Sequence, residues 1–155
     1  MIIHKKGNLL TSDCKVIMHQ ANCFSIMGAG IAKTIADIYP AAKNADVKFP
    51  HPPEERLGKY SLANTKNKTI VNLYGQYKIG QGLQTDYVAL EESINSFLTQ
   101  AKKDNSEIGK VGVPYLMGCG LAGGDWEVVL EILRKQSEKH GVDIYTYEYN
   151  PKDFL

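Results

Sequence analysis

At 155 residues and 43% hydrophobic content, the chain is sized for one compact domain with a full core. Its 18 basic and 17 acidic residues leave a net charge of +1, which provides no general pull toward nucleic acid or an anionic membrane. The cysteines Cys14, Cys23 and Cys119 are widely spaced without a CxxC pair, and His4, His19, His51 and His140 are scattered, which argues against a disulfide framework and a zinc site.

The apolar runs predict strands at Met1–His4 and Val16–Asn22, followed by a glycine-bearing loop and a helix over Gly30–Tyr39. Asn44–Leu57, with Pro50, Pro52 and Pro53, reads as a surface excursion. Strands follow at Tyr60–Ala63 and Thr69–Tyr74, and the polar, glycine-bearing Gly75–Gly82 reads as a loop. A helix over Thr85–Lys103 has Thr85 as its N-cap, with Val88, Leu90, Ile94, Phe97 and Leu98 at helical spacing. A strand at Lys110–Tyr115 leads into a helix over Trp126–His140, with Val128, Val129, Ile132 and Leu133 on one face and a stop near Gly141. The last strand spans Asp143–Glu148. Strands alternating with helices argue for an α/β sheet with helices on both faces.

Two segments run from strand through glycines into helix. One is His19-Gln20-Ala21-Asn22-Cys23-Phe24-Ser25-Ile26-Met27-Gly28-Ala29-Gly30-Ile31-Ala32-Lys33. The other is Val113-Pro114-Tyr115-Leu116-Met117-Gly118-Cys119-Gly120-Leu121-Ala122-Gly123-Gly124-Asp125-Trp126. Such glycines let backbone N–H groups approach an anion, and the helix N-terminus adds positive potential. Taken singly, each is an ordinary strand-to-helix turn, with Asp125 as an N-cap. Together they place two backbone cradles at one sheet edge, which suits a pyrophosphate with a sugar on each side. A dinucleotide oxidoreductase is disfavoured because Lys33 stands where the third glycine of the fingerprint belongs, and the chain is short for a separate substrate domain.

Gly7-Asn8-Leu9-Leu10, Gln20-Ala21-Asn22, Met27 to Ala32, Val71-Asn72-Leu73-Tyr74 and Gly118 to Trp126 together resemble the macrodomain family. The resemblance is nearest to the class that contains the terminal ADP-ribose protein glycohydrolase and the DNA ADP-ribosylglycohydrolase antitoxins. It spans nearly the whole chain and implies a single domain over 1–155, a three-layer α/β/α fold with a mixed central sheet, and ADP-ribose as ligand. Met27, Gly28, Gly30 and Ile31 would line the first loop; Gly118, Gly120, Leu121, Ala122 and Gly123 would form the second, around the pyrophosphate. Asn22 would lie near the distal ribose, or serve as a turn residue. Asn8, with Leu9 beside it, takes the place of an aspartate that accepts from the adenine amino group; its amide keeps an acceptor and loses the charge. Tyr145, Tyr147 and Tyr149 alternate along a strand and share one side, and Tyr147, then Tyr149, matches the family's adenine-packing aromatic.

In the glycohydrolases of this class a lysine attacks the distal ribose and an acid in the second loop assists. Asp125 matches the acid. Gln76 takes the lysine's place, and an amide cannot form the Schiff base. Lys78 lies two residues on, but Gly75 and Gly80 argue against the strand continuing to carry it inward. With Asp125 alone as general base, the leading expectation is hydrolysis of ADP-ribosyl esters on Asp or Glu side chains, where the leaving group is good. The alternatives are a non-catalytic ADP-ribose reader, an ADP-ribose-1″-phosphate phosphatase and an O-acetyl-ADP-ribose deacetylase. Cys119 reads as small and buried rather than nucleophilic, His19 as a satisfied core histidine, Tyr74 as core, and Phe24 as pocket wall or core. No cofactor or metal is expected. The expected partner is ADP-ribose or a mono-ADP-ribosylated protein; nucleic acid is not indicated, beyond a local patch of Lys33, Lys43 and Lys48. Met1-Ile2-Ile3 runs straight into His4-Lys5-Lys6 without a leader pattern, and no apolar stretch approaches the ~18 residues of a membrane span. A cytoplasmic monomer is the expectation.

Overall fold

A computed structural model describes residues 1–154. The strands are β1 (Ile2–Lys6), β2 (Val16–Asn22), β3 (Tyr60–Asn64), β4 (Thr69–Gln76), β5 (Val111–Pro114) and β6 (Ile144–Glu148). They form one sheet in the order β1-β6-β5-β2-β4-β3. All neighbours are parallel except β3 and β4, which pair antiparallel. The sheet is therefore mixed, as the resemblance implies.

Central strands read as continuous apolar runs because both of their faces are covered. Along β2, Val16 and Met18 point to one core and Ile17 to the other. Along β4, Val71 and Leu73 oppose Ile70 in the same way. The first core is closed by α4 (Tyr87–Lys103) and α5 (Trp126–His140), through Leu90, Ile94, Phe97, Leu98, Val129, Ile132 and Leu133. The second is closed by α1 (Gly30–Ile38) and α2 (Pro40–Lys48), through Ile35 and Ala42. The result is a three-layer α/β/α sandwich. Among the described residues, no helix is long and apolar enough to cross a membrane.

Helix α5 has the bounds its periodicity predicts, and Gly141 ends it at φ 64°, the left-handed stop that glycine adopts without strain. Three expectations are corrected. Residues 44–57 are not a surface excursion. They hold the end of α2 and a short turn α3 (Pro53–Arg56), and their Asp46 and Arg56 are buried. Pro40 and Pro53 open these helices at the first position, where a missing N–H costs nothing. Thr85 is not the cap of α4. Asp86 is, accepting from Ala89 N at 3.0 Å, while Thr85 bridges to Gln76. Val88 and Val128 lie outside the apolar stripes, at 68% and 39% exposure.

Strand β4 also runs past its predicted end, through Gly75 to Gln76. Gly75 leaves room there for two neighbouring side chains: a Cβ would stand 2.7 Å from Gln20 Oε1 and 3.0 Å from Leu90 Cδ1.

Candidate ligand cleft

The parallel strands β2, β4, β5 and β6 all end at one edge of the sheet. At that edge, between β2 and β5, the strand order reverses, which is where open α/β sheets place their ligands. A cleft of about 880 Å³ opens there, within the range of small-molecule and cofactor sites. It is walled on one side by the segment after β2 and the first turn of α1, and on the other by the loop after β5. The third wall is the end of β4 with Ile79 and Gly80, and Asn8, Leu9, Leu10, Tyr147 and Tyr149 close the fourth.

Helix N-termini normally satisfy their orphan N–H groups with a side-chain cap. Asp86 does this for α4, and Asp125 does it for α5 by accepting from Glu127 N at 2.9 Å. Helix α1 is different. Its cap residue is Ala29, which makes no side-chain hydrogen bond, and its first turn carries no acid. Gly28, Ala29, Gly30, Ile31 and Ala32 all line the cleft, so an uncapped, positively polarised helix end faces it.

The opposite loop is held in shape by its own backbone. Met117 N donates to Pro114 O, Cys119 N to Leu116 O, Gly123 N to Gly120 O and Gly124 N to Gly118 O. Among the described residues, the N–H groups of Gly120, Leu121 and Ala122 take no part in that scheme, and all three residues line the cleft. Gly118 adopts φ +76°, and a Cβ on it would stand 2.9 Å from Gln20 Oε1 and 3.2 Å from Thr85 Oγ1.

Asn22 lines the cleft and also braces the first loop. Its Oδ1 accepts from Phe24 N at 3.0 Å and Ile26 N at 3.3 Å, and its Nδ2 donates to Ile26 O at 2.8 Å. The far side of that loop is tied down by buried charge. Arg56 donates to Ser25 Oγ at 2.9 Å and meets Asp46 Oδ1 at 3.2 Å, with the two side chains 7% and 1% exposed. Lys43 Nζ donates to Ser25 O at 3.0 Å. Asn8 Oδ1 already accepts from Leu10 N at 3.0 Å, capping the short 3-10 turn Leu9–Thr11.

Of the residues expected at the site, Asn8, Leu9, Asn22, Met27, Gly28, Gly30, Ile31, Gln76, Gly118, Gly120, Leu121, Ala122 and Tyr147 come together around this cleft. Two do not. Gly123 packs against the Gly82 carbonyl, to which a Cβ would come within 2.6 Å. Asp125 does not line the cleft: its Oδ1 is taken by the cap of α5 and its own N–H by Tyr87 Oη at 2.9 Å. Lys78 is exposed and also stays outside, although its carbonyl accepts from Gln76 Nε2 at 3.0 Å. Tyr149 joins Tyr147 in the wall, whereas Tyr145 is covered by Lys5 and Lys110.

His19 is fully buried on Asn72, with Nε2 to Oδ1 at 2.6 Å, and burial pulls its pKa down. Tyr74 is core, and Phe24 is 44% exposed against Tyr77. The Cys119 thiol is pushed up to about 11, by burial first and by the Asp125 charge second, the opposite of an activated thiolate. Of the three lysines of the expected local patch, Lys33 pairs with Asp37 and Lys43 donates to Ser25 O.

Sequence reasoning missed Gln20, Thr34, Ile79 and Tyr115 as wall residues. Period-2 alternation from Asn22 was the available signal for Gln20. Among the described residues, the cleft wall holds no carboxylate, imidazole, amine, guanidinium or thiol, and no cluster of three His, Cys, Asp or Glu gathers to hold a metal.

With this geometry in view, a family model described as Macro domain matches residues 18–133. An uncharacterised 17.5 kDa protein from the tk-vs intergenic region of Enterobacteria phage T4 is 28% identical over 152 residues, covering 92% of this chain and 94% of that one. A DNA ADP-ribosyl glycohydrolase of Mycobacterium tuberculosis is 29% identical over 133 residues, covering 83% of this chain and 36% of that protein. The solved macrodomain of Mycobacterium tuberculosis DarG superposes with a TM-score of 0.79 at 27% identity, covering 95% and 97% of the two chains.

Proposed function

The chain belongs to the Macro domain family, and from that membership we propose that its cleft binds ADP-ribose and acts as a reader of that group. The observation that carries binding is the pair of backbone donor surfaces facing one another: the uncapped α1 N-terminus and the Gly120–Ala122 turn. A pyrophosphate between them would receive N–H donors from both sides without a cation. Tyr147 and Tyr149 supply an aromatic wall for a flat base.

The wall's lack of an ionisable group other than tyrosine favours reading over turnover. A general base must come within hydrogen-bond reach of the proton it takes, and Asp125 is engaged outside the cleft. Hydrolysis of an ADP-ribosyl link is the second reading; the name of the mycobacterial relative, DNA ADP-ribosyl glycohydrolase, supports cleavage of that general kind, and an ester to Asp or Glu is the substrate we infer for it. In this chain it would rest on a water held by the Asn22 and Gln76 amides, with a carboxylate as the leaving group.

Calorimetric titration with ADP-ribose tests binding, with an expected Kd of roughly micromolar strength. Incubation with Asp/Glu-linked mono-ADP-ribosylated protein, ADP-ribosylated DNA, ADP-ribose-1″-phosphate and O-acetyl-ADP-ribose tests turnover. A reader binds and releases nothing from any of the four. Release of ADP-ribose, phosphate or acetate with multiple turnovers replaces the reader by the corresponding hydrolase.

A further inference from the structure

Resting on the reading of the cleft as an ADP-ribose site, we infer that Gln20 is a positioning residue that fixes Gln76 as a one-way hydrogen-bond donor to the ligand. The inference comes from a chain of side-chain hydrogen bonds across the cleft floor. Thr85 Oγ1 lies 2.6 Å from Gly118 O, Gln20 Nε2 lies 2.9 Å from both Thr85 Oγ1 and Gln76 Oε1, and Gln76 Nε2 lies 3.0 Å from Lys78 O.

Amide nitrogen and oxygen are usually assigned by their surroundings, and here the surroundings allow one sense. Both ends of the chain are backbone carbonyls, which only accept. The single Thr85 proton goes to Gly118 O, so Gln20 must face Thr85 with its NH₂ group. The other proton of that group goes to Gln76, which must therefore face Gln20 with its oxygen. The Gln76 NH₂ then faces Lys78 O, which needs a donor. Flipping either amide places donor against donor or acceptor against acceptor at both of its contacts.

Gln76 is left with one unassigned N–H, on a half-buried side chain in the cleft wall. It recognises a ligand oxygen and has no free base to offer. Gln20 Oε1 is buried without a protein partner, within 2.7 Å and 2.9 Å of where Cβ atoms on Gly75 and Gly118 would stand. Glycine at both positions leaves room for this amide. The same chain ties the Gly118 carbonyl of the second loop to the end of β4, so two walls share one register.

The test is calorimetric titration of ADP-ribose into wild type, Gln76→Met, Gln20→Met and the double variant, with thermal unfolding of each. A hydrogen bond to a charged or strongly polar oxygen predicts roughly tenfold weaker binding for Gln76→Met. Gln20→Met should weaken binding severalfold alone and add nothing in the Gln76→Met background. Gln76→Glu provides an independent arm. Its carboxylate cannot donate, so binding should fall at pH 7.5; as the pH approaches about 4.3 the acid takes up a single proton, for which Lys78 O and the ligand compete, so binding should recover in part. That arm stands even if Gln20→Met fails to fold. Gln76→Met within twofold of wild type, a Gln20 penalty that persists in full in the double variant, or a Gln76→Glu defect independent of pH overturns the inference. Wild type that does not bind ADP-ribose removes the ligand reading itself, and this inference with it.

Discussion

Arg56→Met is the sharpest probe of what holds the first loop. The Arg56 and Asp46 side chains are 7% and 1% exposed. The guanidinium reaches Ser25 Oγ, the carbonyls of Asp46, Phe49 and His51, and Asp46 Oδ1. Tyr74 Oη and Ser25 Oγ also donate to Asp46 Oδ1, at 2.8 Å and 3.1 Å. Removing one partner of such a pair strands the other charge and costs about 3–5 kcal/mol. For a domain of this length that lowers Tm by roughly 6–20 °C, at about 2–4 °C per kcal/mol. Met fills the volume of the stem, so little of the loss should come from a cavity. The companion Asp46→Asn removes the stranded charge while keeping an acceptor for Tyr74 and Ser25. Added to Arg56→Met, it should restore more than half of the lost stability, a non-additivity expected of touching residues. Urea denaturation of the two single variants and the double variant measures this directly. A loss under about 1 kcal/mol for Arg56→Met, or strictly additive losses, refutes the view that this is a desolvated pair.

Three further outcomes follow from the geometry. Asp125→Ala removes a helix cap and should cost about 1 kcal/mol, while ADP-ribose affinity stays within twofold of wild type; a larger affinity loss returns Asp125 to the site. Gly118→Ala forces a Cβ to within 2.9 Å of Gln20 Oε1 at φ +76°, a strain of order 1–3 kcal/mol, and should abolish calorimetric binding while leaving circular dichroism native-like. His19 is held neutral by burial, so the unfolded chain binds its proton first as pH falls. Its contribution is intact above the unfolded pKa of about 6.5 and is lost as pH drops from there toward the lower folded value. Urea midpoints from pH 7.5 to 5 should decline less steeply in His19→Gln than in wild type.

Period and punctuation made much of the fold legible, and they failed where one residue serves two purposes. The α5 stripe and Gly141 mark the same bounds in sequence and structure. Pro40 and Pro53 look like breakers yet open helices, and Gly75 looks like a strand end yet makes room for a side chain from β2. Both glycine loops of the site were readable because backbone approach demands glycine. Gln20 was not singled out because its role depends on partners 56 and 65 positions away. Asp125 is ambiguous for a physical reason: an acid before a helix satisfies the cap pattern and the catalytic pattern equally well, and the fold shows its Oδ1 in the cap.

The bare start of α1 has a consequence for the empty protein. With Ala29 in the cap position, no side chain caps the first turn, which is held by the Lys33 N–H to Ala29 O bond and by Ile31 and Ala32 on the core, so fraying at Gly30 to Lys33 is expected in the empty protein. An anion seated there becomes the helix's missing cap. Amide exchange in that single turn therefore reports occupancy, slowing when the cleft fills while the start of α5, closed by its own aspartate, keeps the same rate.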